Sequence, residues 1–276
     1  MTQPSPRTIV ITGASDGIGA AAARILRRTH ENDALVLVGR DPAKTQRVAR
    51  EVGATFHLAD FESLGQVRKL ATELNQYEHI HALGNNAGGI FDGPFATADG
   101  FERTWQVNVV APFLLTSLVQ EKLRASNATV VNTASVAQWL LSSFDPSDPN
   151  TFQKFSAERA YGNAKLGDIL LTRYIDAHGI NSVAFHPGVL RTSFGSTSTS
   201  MTSKLYAGAL SRLFGSPDEG GENLAYFLTG TPGVDFESGE YYSRKGKIGR
   251  QRPMARKVSL ARRIFDDLGQ QLNVEW

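Results

Sequence analysis

The β-branched run "RTIVIT" (7–12) ends in the glycine turn "GASDGIG", and the chain continues as an Ala-rich, helix-spaced "AAAARILRRT". A short buried strand must therefore leave its sheet through a tight turn and pack back as a helix. The rhythm repeats. "ALVLVG" (34–39), "TFHLAD" (55–60), "IHALGNNAG" (80–88), "ATVVNTAS" (128–135) and "SVAFHPG" (182–188) read as further strands. Helical stretches lie between them, "PAKTQRVAREV" first, then 62–76, 101–124 and 157–178. Strands alternating with helices imply βαβ units, so an α/β fold with a parallel sheet covered on both faces. An open doubly wound sheet in a single domain, residues 1–276, is the expected solution.

The Ser/Thr-rich piece "TSFGSTSTSMTS" (192–203) interrupts this rhythm. It is too polar for a core and too long for an ordinary connection. It reads as a substrate lid around 190–215 or as a surface loop.

Composition excludes several classes. There is no cysteine, so disulfides and thiolate chemistry are ruled out. The net charge of +2 gives no case for a polyanionic partner. The segment 244–263 holds nine Lys/Arg and no acid, and reads as a solvated surface tail; no nucleic acid is expected. No apolar run approaches the length of a membrane span, and "MTQPSPRTIVITG" has no signal-peptide pattern. A soluble cytoplasmic protein with no membrane partner is expected. The six histidines offer no metal-ligand spacing, so no metal is expected.

Gly13, Gly17 and Gly19 allow a tight turn and close backbone approach, with a helix N-terminus facing a pyrophosphate. Their spacing is G-x-x-x-G-x-G, and a purely structural turn would look the same. The second strand ends in "VGRD". An acid is usual at that strand end to hold a ribose 2′-OH. Here Gly39 stands in its place and Arg40 follows, a guanidinium suited to a 2′-phosphate, while Asp41 before Pro42 reads as a helix cap. NADP(H) is the cofactor this pattern favours.

"AYGNAK" (160–165) places Tyr161 four positions before Lys165, so the two are neighbours on a helix. An ammonium there could lower the pKa of the phenol, or the pair could simply line a wet helix face. "YYSRK" repeats the spacing with Tyr241 and Lys245. That stretch is Gly-flanked and β-like, and on a strand the two lie about 13 Å apart.

Taken together, these stretches resemble the short-chain dehydrogenase/reductase family over nearly the whole chain, with its Rossmann-type sheet. The glycine motif matches at Thr12, Gly13, Gly17 and Gly19, the adenine-side Asp at Asp60, and the "NNAG" stretch at 85–88. Asn108 in "WQVNVVAPF", Ser135 at a strand end, Tyr161 with Lys165, and "HPG" (186–188) with Thr192 complete the series. The resemblance implies a catalytic set of Asn108, Ser135, Tyr161 and Lys165. Tyr161 would be the general acid/base, Ser135 would hold the substrate oxygen, and Asn108 would hold a water linking Lys165 to solvent. Cofactor contacts are implied at Thr12, Gly13, Ser15, Asp16, Gly17, Ile18, Gly19, Arg40, Asp60 and Phe61. They continue at Asn86, Ala87, Gly88, Tyr161, Lys165, Pro187, Gly188, Val189 and Thr192.

The implied activity is hydride transfer between NADP(H) and a small-molecule alcohol or carbonyl; a nucleotide-sensing regulator on the same fold is the alternative. The 26-residue separation of Ser135 and Tyr161 resembles the retinol-dehydrogenase-like and carbonyl-reductase-like branches. Its "QWLLSSF", with Phe91, suggests a bulky apolar substrate, although the same residues could be core or interface. Family members dimerise through the helix at 109–119 and the Tyr helix, so a homodimer is implied unless the 135–161 insert covers that surface.

Overall fold

Alternating side chains in the first two strands face two different cores. In the computed structural model, which describes residues 6–188 and 217–276, β1 (Thr8–Thr12) and β2 (Ala34–Gly39) run parallel with Ile9 beside Leu35. Val10, Val36 and Val38 point to one face, and Ile9, Ile11, Leu35 and Leu37 to the other. This is the period-2 pattern of strands buried on both sides. The lid read at 190–215, with Val189 and Thr192, lies outside the described residues.

Between β1 and β2 runs α1 (Gly17–Thr29); after β2 come α2 (Pro42–Val52), β3 (Thr55–Leu58), α3 (Leu64–Leu74) and β4 (Ala82–Asn85). The predicted helix at 101–124 is broken into α4 (Arg103–Trp105), a π-turn (Gln106–Val110), α5 (Ala111–Leu118) and α6 (Gln120–Ala125). Two residues explain the break. Asn108 Nδ2 donates to the Thr104 carbonyl at 2.8 Å, which competes with regular backbone bonding. Pro112 has no N–H to offer the Asn108 carbonyl four residues earlier.

The chain continues through β5 (Thr129–Thr133), α7 (Ala137–Leu140), α8 (Ala157–Ala177) and β6 (Asn181–Phe185). Then come α9 (Pro217–Thr229), β7 (Tyr241–Arg244), β8 (Lys247–Ile248), a 3-10 turn (Pro253–Arg256) and α10 (Val258–Leu272). The strand order is β3-β2-β1-β4-β5-β6-β7-β8, parallel except for the last hairpin. The chain order reverses between β1 and β4. In open sheets of this kind the ligand crevice lies beyond the strand C-termini at that point.

The strand and helix positions read from sequence hold, with ends shifted by a few residues. Strands 80–88 and 128–135, for example, shorten to β4 and β5. One face of the sheet packs α3, α5, α8 and α10; the other packs α1, α2 and α9. Gly221 of α9 allows a very close approach to α1, since a Cβ there would come within 2.6 Å of Ala21 Cβ.

The basic 244–263 segment is not a loose tail. It folds into the β7–β8 hairpin, the 3-10 turn and part of α10. Arg250 lies 3.9 Å over the Trp139 ring, and Gln138 anchors the loop by donating to the Arg250 carbonyl at 2.7 Å. Of the two helices implied for a dimer face, the 135–161 insert packs on α8, where a Cβ on Gly162 would lie 2.6 Å from the Ser142 nitrogen and Ser142 donates to Asn163 at 3.0 Å, while α5 is covered from elsewhere. Phe113 stacks on Phe265 of α10 and on Trp276, with centroids 5.2 and 6.2 Å apart.

Candidate active site

The glycine turn is built to be approached closely. Gly13 has φ +64°, and a Cβ there would meet the Ala87 backbone at 2.8 Å. A Cβ on Gly19 would meet the Gly13 carbonyl at 2.5 Å. Asp16 caps α1 through the Gly17 N–H. Thr12 Oγ1 accepts from the N–H groups of Asn86 and Ala87, each at 3.0 Å, and donates to the Gly84 carbonyl. Asn86 Nδ2 returns a bond to the Thr12 carbonyl at 3.0 Å, while its Oδ1 accepts from Thr133 at 3.3 Å. The ends of β1, β4 and β5 are thereby tied together, with the N-terminus of α1 over the crevice. The dipole and free N–H groups of such an end suit a phosphate group. Ser15 and Ile18 sit in the same turn.

At the end of β2, Gly39 is required by packing: a Cβ there would lie 2.2 Å from Thr45 Oγ1. Asp41 caps α2 through the Lys44 N–H at 2.9 Å, as its position before proline suggests. Arg40, half-exposed, pairs with neither Asp41 nor solvent alone. It reaches Glu62 at 3.3 Å, and Glu62 is also held by Arg103 at 2.6 Å. Lys44 pairs with Asp16 at 3.6 Å. Asp60 Oδ1 accepts from the Glu62 N–H, and Phe61 beside it is buried.

The four residues expected to be catalytic converge on the C-terminal edge of the sheet. Ser135 lies two residues beyond β5 and accepts from the Ala137 N–H at 3.2 Å, opening α7. Tyr161 and Lys165 share α8, and the Lys165 ammonium lies 5.6 Å from the Tyr161 ring centroid. Lys165 Nζ donates to the Thr133 carbonyl and to Asp168 Oδ2, both at 2.9 Å. Gly88 is the hinge of this corner. A Cβ there would meet Asn108 Oδ1 at 2.5 Å and Lys165 Nζ at 3.4 Å. The Asn108 side chain itself is taken up by the Gly89 backbone and the Thr104 carbonyl, so it fixes the loop after β4.

Beyond β6, His186 accepts from the Val136 N–H through Nδ1 at 3.4 Å, and burial pulls its pKa down to about 4. It is therefore neutral and orients the turn that carries Ser135. Pro187 and Gly188, the latter at φ +100°, follow it.

Three residues of this corner escape a reading of the sequence. Asp168 was legible only as an acid inside the apolar "LGDILL"; Glu62 follows Asp60 by two; Gln138 looks like one polar residue in an apolar run. The apolar substrate surface is only partly realised. Phe91 is buried beneath the Arg103 guanidinium, 4.5 Å from its centroid, and Phe144 is core. Trp139 lies under Arg250, and Leu140 is 66% exposed. His81 is a packing residue whose Nδ1 accepts from the Thr8 N–H at 2.9 Å. Among the described residues no three His, Asp or Glu side chains are grouped to hold a metal.

The short chain dehydrogenase family model matches residues 7–203. A Streptomyces sp. (strain C5) protein named as a candidate daunorubicin C-13 ketoreductase is 34% identical, covering 88% of each chain. Human retinol dehydrogenase 13 is 30% identical over 98% of this chain and 85% of its own. Mouse polyprenol dehydrogenase is 32% identical over 95% and 83%. Among solved structures, an uncharacterized Mycobacterium paratuberculosis protein superposes with TM-score 0.72 at 27% identity, covering 99% of this chain and 97% of that one. An alcohol dehydrogenase of Thermococcus sibiricus complexed with 5-hydroxy-NADP shares the fold, with TM-score 0.66 at 20% identity over 89% and 99%.

Proposed function

The chain belongs to the short chain dehydrogenase family, and from that premise we propose that it is an NADP(H)-dependent oxidoreductase interconverting an alcohol and a carbonyl compound. The observation that carries this reading is the buried, hydrogen-bonded Lys165 one helical turn from Tyr161, at the strand edge from which Ser135 emerges.

The nicotinamide, when bound, supplies or accepts the hydride. The glycine cradle at 13–19, where added Cβ atoms would collide with backbone, fits the pyrophosphate of such a cofactor. The protein's own work is proton transfer and orientation. Tyr161 gives its hydroxyl proton to the substrate oxygen on reduction and removes it on oxidation. A phenol near pKa 10 must be lowered by about 3 units to do this at neutral pH, roughly 4 kcal/mol of preference for the phenolate. Lys165 provides a fixed positive charge for that purpose. Ser135 donates to the substrate oxygen and holds it beside Tyr161. Asn108 keeps the Gly88–Gly89 backbone in place against Lys165.

Arg40 supports the NADP(H) preference. A 2′-phosphate at the end of β2 would take over the guanidinium that Glu62 now engages. The relatives are named for retinol, polyprenol and daunorubicin, and with the exposed Leu140 of α7 this favours a bulky, largely apolar substrate. No helix among the described residues is long and apolar enough to cross a membrane; a cytoplasmic location is part of the proposal. Nothing in the site favours the nucleotide-sensing alternative.

The test is a screen of carbonyls with NADPH and of alcohols with NADP+, in wild type and Tyr161→Phe. Turnover that the substitution removes, with cofactor binding retained, is expected. Turnover equal in both proteins, or absent from wild type with every substrate, overturns the reading.

A further inference from the structure

Lys165 and Asp168 are both about 95% buried, with side-chain exposures of 5% each, and they meet at 2.9 Å. They stand three residues apart on α8, so one helix face presents both. The acid is not needed to hold α8 together. A leucine or alanine would fit an apolar run such as "LGDILL" without burying a charge. Among the described residues its charged partner is the Lys165 ammonium. We propose that Asp168 is a positioning residue that keeps the Lys165 ammonium charged and fixed beside Tyr161, and so sets the pH range in which Tyr161 ionises. This rests on the acid/base reading of Tyr161.

The surroundings leave the role to Asp168. The strands β5 and β6, the π-turn and α7 all pack on α8, and none of them carries a titratable side chain within its span. The flanking α4 brings Arg103 and its cap Glu102. The 3-10 turn brings Arg256, and α10 brings Arg262, Arg263, Asp266 and Asp267. His186, after β6, is neutral. Tyr161 itself is the remaining group next to Lys165.

Without Asp168 the ammonium would keep the Thr133 carbonyl but no counter-charge. A buried lysine in that condition loses its proton several units below its usual range. It would then be uncharged over much of the range in which Tyr161 must ionise, and the phenolate would lose its stabilising charge. Burial in turn pushes the Asp168 carboxyl up to about 6, against the pull of Lys165, so at neutral pH the acid is ionised and the pair complete.

The experiment follows Tyr161 directly and needs neither substrate nor cofactor. Phenolate absorbance is titrated in wild type and Asp168→Asn, each with its Tyr161→Phe counterpart subtracted, and circular dichroism checks the fold. The Tyr161 midpoint should rise by roughly one unit or more in Asp168→Asn. If the enzyme turns over, the pH profile of alcohol oxidation should move the same way. An unmoved midpoint in a folded variant overturns the proposal. So does a fall, which would mean that Asp168 acts on Tyr161 as a plain opposing charge.

Should Asp168→Asn fail to fold, Lys165→Met is compared with Lys165→Met/Asp168→Asn. Equal midpoints are expected there, because the effect runs through the ammonium. A difference between them overturns it. A shifted midpoint in a protein that turns over no carbonyl would sink the oxidoreductase reading while leaving the Asp168 assignment standing.

Discussion

Two stretches of this chain set a lysine four positions after a tyrosine, and their surroundings differ completely. Tyr161 and Lys165 lie on α8, with the lysine buried between the Thr133 carbonyl and Asp168. Tyr241 begins β7 and is 2% exposed, and burial drives its phenol well above the usual range. Lys245 stands exposed in the turn after β7 and lies over the Tyr226 ring instead, 5.3 Å from its centroid. A helix brings i and i+4 onto one face; a strand carries them apart. The spacing is therefore chemistry only where the backbone and a buried partner make it so.

The sharpest way to break this comparison is to remove both hydroxyls in turn. Tyr161→Phe should lower kcat/KM by about a thousandfold or more, given that general acid/base transfer contributes roughly 10²–10⁴-fold. Tyr241→Phe should leave turnover within about twofold. Comparable losses in steady-state assays of the two variants would remove the basis for separating the sites.

A pH series on stability sharpens it next. The Asp168 carboxyl titrates higher in the folded chain, about 6, than its ordinary 3.8. A raised acid favours the folded state fully below the lower value and loses that contribution as pH rises through the upper one. Wild type should thus lose up to about 3 kcal/mol relative to Asp168→Asn between about pH 4 and pH 6. Denaturant melts at intervals across that window check it, and parallel curves would contradict it. Lys245, exposed and with no ion-pair acid among the described residues, should give no counterpart: Lys245→Met should leave the same curve unchanged.

Arg40 tests the cofactor side of the Tyr161 region. Arg40→Ala should cut the NADPH preference in kcat/KM by about tenfold or more, the value of a charge-assisted bond of roughly 1.5–3 kcal/mol. A wild type that already prefers NADH would reopen the assignment. Glu62→Gln should move the preference the other way by a few-fold, since it frees the guanidinium that Glu62 holds at 3.3 Å.

The smallest effect belongs to the second pair. Tyr241→Phe removes a buried hydroxyl next to Gln138, the residue that holds the Arg250 carbonyl and the Arg252 N–H. A stability loss of no more than about 1 kcal/mol is expected from calorimetry, the scale of one polar group in a folded chain. A loss of several kcal/mol would mean that the 249–252 loop depends on it.

The local pattern of this sequence determined the architecture. Period-2 apolar strands, a glycine turn after the first of them, and helices between made a parallel sheet covered on both faces the only economical burial of those side chains. The same local logic read Asp41 as a cap and Tyr161 with Lys165 as helix neighbours.

What lay beyond it depends on contacts between residues far apart in the chain, which no spacing encodes. Glu62 meets both Arg40 and Arg103 because the loops after β2 and β3 and the start of α4 converge. The C-terminal helix, not the 135–161 insert, covers Phe113 because Phe265 and Trp276 return to it from the far end of the sequence. The charge on Lys165 is the plainest case. Its neighbour in sequence is visible, but the burial that makes Asp168 matter comes from the strands and turns packed around α8, and only the tertiary structure supplies that low-dielectric surrounding.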